Sequence, residues 1–132
     1  MRIFTLLLFI GLSKSCAAQT SIDLSQHQWK DRVLLFFVAD EKEAVWQEQR
    51  DILNTDPEGI TERDLIIYRI EQSDDLWRDY GVENDEYIAI LVGKDGTEKL
   101  RQLQPLRLEK LYGIIDQMPM RRREMREQQK HK

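Results

Sequence analysis

Residues 32–39, Arg-Val-Leu-Leu-Phe-Phe-Val-Ala, are an unbroken apolar run behind a single arginine. A strand with one wet face alternates apolar and polar positions; one covered on both faces does not, so this run predicts a central strand of a parallel or mixed sheet. Asp40-Glu-Lys-Glu43 follows, with carboxylates suited to capping and charging the first turn of a helix. Val45, Trp46, Gln49, Ile52 and Leu53 then fall on or near one side of a helix from about Lys42 to Leu53, which the turn-forming Asn54-Thr-Asp-Pro-Glu-Gly59 ends.

Arg63 to Ile70 is a second β run, and a helix between two such runs predicts a βαβ unit with parallel strands. Ser73-Asp-Asp75 is placed to cap a short helix carrying Leu76, Trp77 and Tyr80, closed by Gly81 in a left-handed position. Tyr87-Ile-Ala-Ile-Leu-Val92 is a third strand. Gly93-Lys-Asp-Gly96 turns the chain, and Glu98 to Leu103 return as an antiparallel hairpin partner. Beyond Pro105, Leu108, Leu111, Tyr112, Ile115 and Met118 lie along one stripe of an amphipathic helix, which Pro119 interrupts before a polar helical piece from Met120 to about Gln129.

The N-terminus has a different grammar. Arg2 precedes an apolar run from Ile3 to Leu12, and small residues follow as far as Ala18. That is the pattern of a secretory signal peptide over residues 1–18, and the run is too short for the roughly 20 residues that cross a bilayer. The expected domains are therefore a signal peptide (1–18), one globular domain (19–118) and a basic C-terminal helical extension (119–132), in a protein exported to the periplasm or cell exterior. Cleavage after Ala18 removes Cys16, the one cysteine of the chain. The alternative makes Cys16 a lipoprotein cysteine and tethers the protein to a membrane. Either way no free thiol survives.

Without Arg2 and Lys14, 18 basic residues stand against 24 acidic ones, a mature net charge of −6. The acidity stops short of the C-terminus, where six basic residues between Arg121 and Lys132 outnumber Glu124 and Glu127. Such a tail reads first as a solvated helix end or frayed terminus; as a contact it would take an acidic partner or, if Cys16 is acylated, a membrane, since export argues against nucleic acid.

Thiol redox and peroxide chemistry need a thiolate and are excluded. Ser-His-Asp hydrolysis would have to use His27 or His131, neither of them near a nucleophile elbow, and both read as surface histidines. Asp40, Glu41 and Glu43 offer oxygen ligands, but at a helix start they serve the dipole; no calcium-loop spacing and no Cys/His set is present, so no metal and no cofactor are expected. The Gly93–Gly96 turn lies between strands and lacks the GxxxxGK[ST] of a phosphate loop. Lys94, Lys99 and Arg101 gather around it, with Lys99 and Arg101 expected to alternate on one face of an edge strand. Such a charged edge blocks sheet-to-sheet pairing or contacts a partner. In Asp116-Gln-Met118-Pro119-Met120-Arg121, flexible methionines beside a charged rim form an adaptable contact surface; the plainer reading packs Met118 under the sheet and pairs Asp116 with an arginine.

The order β-α-β, short helix, β-hairpin, terminal helix resembles the thioredoxin fold. Tyr80-Gly-Val82, Tyr87–Val92 and Lys94-Asp-Gly96 resemble that family's run of Tyr-Gly-Val, cis-proline, buried strand and charged-glycine turn. Asp85-Glu86 stands where the cis-proline belongs, and Asp40–Glu43 where the Cys-x-x-Cys belongs. A closer likeness runs through Trp29-Lys30-x-Arg32, Gln49, Glu62-Arg-Asp64, Gly93–Arg101 and Ile115-Asp-x-Met-Pro-Met-Arg121-x-x-Glu124-Met125. In these the chain resembles a family of short exported bacterial thioredoxin-like proteins, a domain of unknown function related to modules of vertebrate extracellular-matrix and sushi-repeat proteins. The resemblance implies a thioredoxin-like three-layer α/β sandwich with a mixed central sheet, and brings no activity with it. The expectation is a non-catalytic binding or structural module with a protein partner, whose contact surface joins Met118–Met120, the basic tail and the Lys99/Arg101 strand. The rival is an enzyme using carboxylates such as Asp40, Glu43 or Asp116, which must then meet in a concave pocket.

Overall fold

The computed structural model describes residues 22–131; the expected signal peptide and Cys16 lie outside them. Four strands form one mixed sheet: β1 (Arg32–Val38), β2 (Leu65–Ile70), β3 (Tyr87–Val92) and β4 (Glu98–Gln102), in the spatial order β2-β1-β3-β4. β1 pairs parallel with β2 and antiparallel with β3, and β3 pairs antiparallel with β4. This is a thioredoxin-like α/β sandwich.

The uninterrupted apolar run of β1 has the expected cause. All seven of its residues are buried, with Leu34, Phe36 and Val38 entering one core and Val33, Leu35 and Phe37 the other. Helices α1 (Glu43–Leu53), α2 (Pro57–Glu62) and α4 (Leu108–Asp116) cover the first face through Trp46, Leu53, Ile60, Leu111 and Ile115. The short α3 (Leu76–Asp79) covers the second with Leu76 and Trp77, joined by Ile22 and Leu24 from a 3-10 turn over Leu24–His27. Helix α5 (Pro119–Lys130) follows α4 after Gln117 and Met118. Trp46 leans on Phe36 with ring centroids 5.2 Å apart, and Trp77 meets Phe37 edge-on at 5.4 Å.

Several local expectations are corrected. The Asn54–Gly59 stretch is not a plain loop: Asp56 accepts a hydrogen bond from the Gly59 N–H, Pro57 takes the first helical position, and α2 forms. A capping aspartate before a proline was the available signal. Asp40–Lys42 make a 3-10 turn with no side-chain cap, because the residues at the two cap positions, Ala39 and Lys42, carry no acceptor, and Glu43 pairs with Arg69 at 2.7 Å. β2 starts at Leu65, since Asp64 sits at φ +50° and feeds the chain into the strand. Gly81 is left-handed, at φ +64°, as its place after α3 requires.

One buried polar residue holds the covering helices in place. Gln49 of α1 is fully buried; its amide donates to the Leu106 carbonyl at 3.0 Å, and its carbonyl accepts from the Leu106 N–H at 2.6 Å and the Tyr87 hydroxyl at 2.7 Å. It thus does for the segment entering α4 what a neighbouring strand would do. Burial pushes the Tyr87 phenol well above its ordinary range, so that it remains a donor. Gln49→Leu strands three buried groups and should lower stability by about 3 kcal/mol, read as a fall in Tm of about 10 to 20 °C and a lower urea midpoint.

Candidate functional site

At the amino end of β1, four cations, Arg32, Arg63, Lys94 and Arg121, interleave with four carboxylates, Glu62, Asp64, Asp116 and Glu124. Their positions follow from the fold. Arg32 opens β1, Arg63 and Asp64 lead into β2, Lys94 sits in the β3–β4 turn, Asp116 closes α4, and Arg121 and Glu124 are in the first turns of α5. Arg32 lays both terminal nitrogens on the Glu124 carboxylate, each at 3.2 Å, and Lys94 reaches Glu124 at 2.6 Å and Asp64 at 2.9 Å. Asp116 accepts from Arg63 through both oxygens, at 3.1 and 3.0 Å, and from Arg121 at 3.0 Å. Arg63 also lies over the Tyr112 ring, 3.6 Å from its centroid.

Arg32 and Arg121 are each 1 % exposed and Lys94 is buried, while Glu62 and Asp64 at the rim of the network are half exposed. Burial works to raise the Glu124 and Asp116 pKa values, but the hydrogen bonds from Arg32 and Lys94, and from Arg63 and Arg121, outweigh it and hold both carboxyls below their ordinary range. Burial works against the Lys94 charge, and Glu124 and Asp64 more than restore it. Arg32 Nε is the one exception, buried with no hydrogen-bond partner among the described residues.

Beside the network lies a groove of about 280 Å3 lined by Trp29, Met118, Pro119, Met120 and Lys99 over a floor that includes Arg32, Gly93 and Lys94. Trp29 is 64 % exposed and left-handed, at φ +67°, with its N–H bonded to the Lys94 carbonyl at 2.6 Å. A large aromatic held outward on a backbone conformation that L-residues avoid is a built feature. Gly93 admits the Lys99 stem: a β-carbon there would stand 2.7 Å from Lys99 Cε.

Of the residues singled out in the sequence, Lys94, Lys99, Met118, Pro119 and Met120 thus share one groove, and Asp116 adjoins it. Arg121, expected at the contact surface, is interior, clamped by Asp116 and Glu62. Lys94 is buried as well. Lys99 and Arg101 do not alternate on a common face. Leu91 pairs with Leu100 and Val92 with Glu98, which leaves Lys99 as the extra residue of a bulge, turned to Asp95 at 2.8 Å. Arg101 instead bonds Glu98 and the Tyr80 carbonyl, both at 2.8 Å. Of the carboxylates of the rival reading, Asp116 is separated from the other two, since Asp40 and Glu43 follow the far end of β1, roughly 20 Å of strand away, where both are exposed and Glu43 is held by Arg69.

His27 is not the surface histidine its sequence context suggested. Its Nδ1–H donates to Asp31 at 2.8 Å, since a carboxylate can only accept, and its Nε2 is hydrogen-bonded to the Tyr68 hydroxyl at 2.7 Å. The i, i+4 spacing of His27 and Asp31 was a local signal; Tyr68 was not legible. No three of His, Cys, Asp and Glu among the described residues are placed to share a metal ion. No described helix is long and apolar enough to cross a membrane.

Fold and site together define a thioredoxin-like α/β domain whose β1–α1 junction carries Asp40–Glu43 and no thiol, and whose most elaborated surface lies at the opposite end of the sheet. The chain belongs to the family described as domain of unknown function (DUF4174), which matches residues 23–124. The match runs into α5 as far as Glu124, the residue that closes the charge network. No curated protein matches the chain.

Glu124→Gln removes the charge that offsets Arg32 and Lys94 together and should cost about 3 kcal/mol, whereas Glu127→Gln on exposed α5 should change stability by less than about 0.5 kcal/mol. Because the folded-state pKa values of Glu124 and Asp116 are depressed, the stability they contribute is complete above their ordinary values, 4.5 and 3.8, and is lost as pH falls through the lower folded values. Urea unfolding as a function of pH should therefore show stability declining below about pH 4.5, with a shallower decline in Glu124→Gln.

Proposed function

We propose that this protein is a non-catalytic binding module, exported after loss of residues 1–18, on a frame derived from a thioredoxin-like ancestor and shared with extracellular-matrix modules. Three features support that reading. Residues 17–132 contain no cysteine, so the frame has no nucleophile where an oxidoreductase would keep one. The carboxylates open to an enzymatic role are spread over both ends of the sheet, and Glu43 and Asp116 are tied to arginines. The charged groups of the network are paired with one another, and its buried cations, Arg32, Lys94 and Arg121, are each held by a carboxylate.

The observation that carries the proposal is Trp29. Exposed aromatics beside flexible methionines are the composition of contact surfaces, where a few such side chains supply most of the affinity. The rigid network beneath holds that surface in place without contributing charge to it. A protein partner fits a groove that accepts an apolar side chain.

Capture from the exported fraction tests this, using point variants. Truncation after Met118 would remove Arg121 and Glu124 and so damage the fold itself. Trp29→Ala and Met120→Ala should each reduce recovery of the partner about tenfold while Tm moves by less than about 2 °C. Mass spectrometry of the mature N-terminus should find Gln19 first; an acylated Cys16 would place the module on a membrane instead. Equal recovery with both variants would remove the groove as a contact surface.

A further inference from the structure

The groove is electrically quiet: Lys99 is answered by Asp95, and Arg32 and Lys94 by Glu124. The outward side of α5 is not. With about 100° per residue, Arg122, Arg123, Arg126 and Lys130 fall within an arc about 100° wide, on the side opposite Arg121 and Glu124. All four are exposed, and none of their side chains has a hydrogen bond or ion pair among the described residues. Glu127 stands at the margin of the arc. Pro119 lies in the middle of it and also lines the groove, so the two features form one continuous surface. An apolar pit at one end leads onto a row of four free cations extending roughly 12 Å along the helix.

We propose that this surface takes an acidic protein segment with an apolar anchor. The anchor side chain occupies the groove between Trp29 and Met120, and carboxylates of the same segment pair along Arg122, Arg123, Arg126 and Lys130. The inference rests on the binding-module reading and adds the chemistry of the partner. Charge complementarity selects an anion, and guanidinium forks match carboxylates in two-point contacts. The groove selects a protein segment over a bilayer. A helix that lies on a membrane does so by inserting apolar side chains beside its cations, and on this arc of α5 Pro119 is the only apolar residue.

The test is fluorescence anisotropy of the purified protein with two labelled synthetic peptides. One is eight glutamates preceded by a leucine pair, and the other has glycines in place of the leucines. The anchored peptide should bind, and binding should weaken about tenfold or more between about 50 and 300 mM salt. The combined charge reversal Arg122→Glu, Arg126→Glu, Lys130→Glu should abolish binding of both peptides at unchanged Tm. Trp29→Ala should weaken the anchored peptide and leave the glycine peptide unaffected. Binding indifferent to the charge reversal would overturn the proposal. So would binding to vesicles one-third phosphatidylglycerol without binding to either peptide. If the charge-reversed protein still captures its partner from the exported fraction while Trp29→Ala does not, the acidic class falls and the binding module stands.

Discussion

The architecture of the amino end of the sheet turns on Glu124. The central strand begins with a buried guanidinium, and the adjacent hairpin turn contributes a buried ammonium. Two cations taken out of water at neighbouring positions need a carboxylate between them, and no residue on the sheet supplies one that reaches both. The chain meets this by doubling back: α4 stops at Asp116, Pro119 starts the next helix, and about one and a half turns of α5 bring Glu124 onto Arg32 and Lys94. The same turn inserts Arg121 between Asp116 and Glu62, which fixes α5 against α4.

Removing one member of such a network costs far more than the network contributes relative to a well-packed apolar substitute. Its clearest consequence is therefore geometric. Met118, Pro119 and Met120 are the hinge between two anchored helices, and Trp29 is held opposite them by its own bond to the Lys94 backbone. The groove between them keeps its shape because the charges below it are paired internally. Surface and scaffold are different residues in the same few turns of chain.

A redox protein on this frame would use the carboxyl end of β1. Here that end carries ordinary surface chemistry: Glu43 pairs with Arg69, and the Glu86 carbonyl accepts from the Ala39 N–H at 3.0 Å to tie β3 to β1. The elaboration lies at the other end, in the charge network, a strained exposed tryptophan and an unpaired basic helix face. A binding role draws on what that end offers, namely apolar contact and fixed positive charge.

The sequence by itself determined the layers and their order. Continuous burial of β1 and β3, amphipathic stripes on α1 and α4, and a glycine turn between β3 and β4 are local patterns with one stable arrangement, because each apolar face must be covered. It also established that residues 17–132 contain no cysteine, which is a matter of composition. It could have revealed α2, through Asp56 and Pro57, had the proline been read as a helix start rather than a stop. What only the tertiary structure decided is which charged residues are interior. Arg121 and Arg122 are neighbours in one basic run, yet one is sealed against Asp116 and Glu62 and the other faces water. Lys99 left its expected face because a bulge inserted it, and His27 found Tyr68 across 41 residues of chain. The physical reason is common to all three. An apolar side chain needs only to leave water, which a local pattern can announce, whereas a charged or polar one needs a particular partner at hydrogen-bond distance, and folding alone brings that partner near.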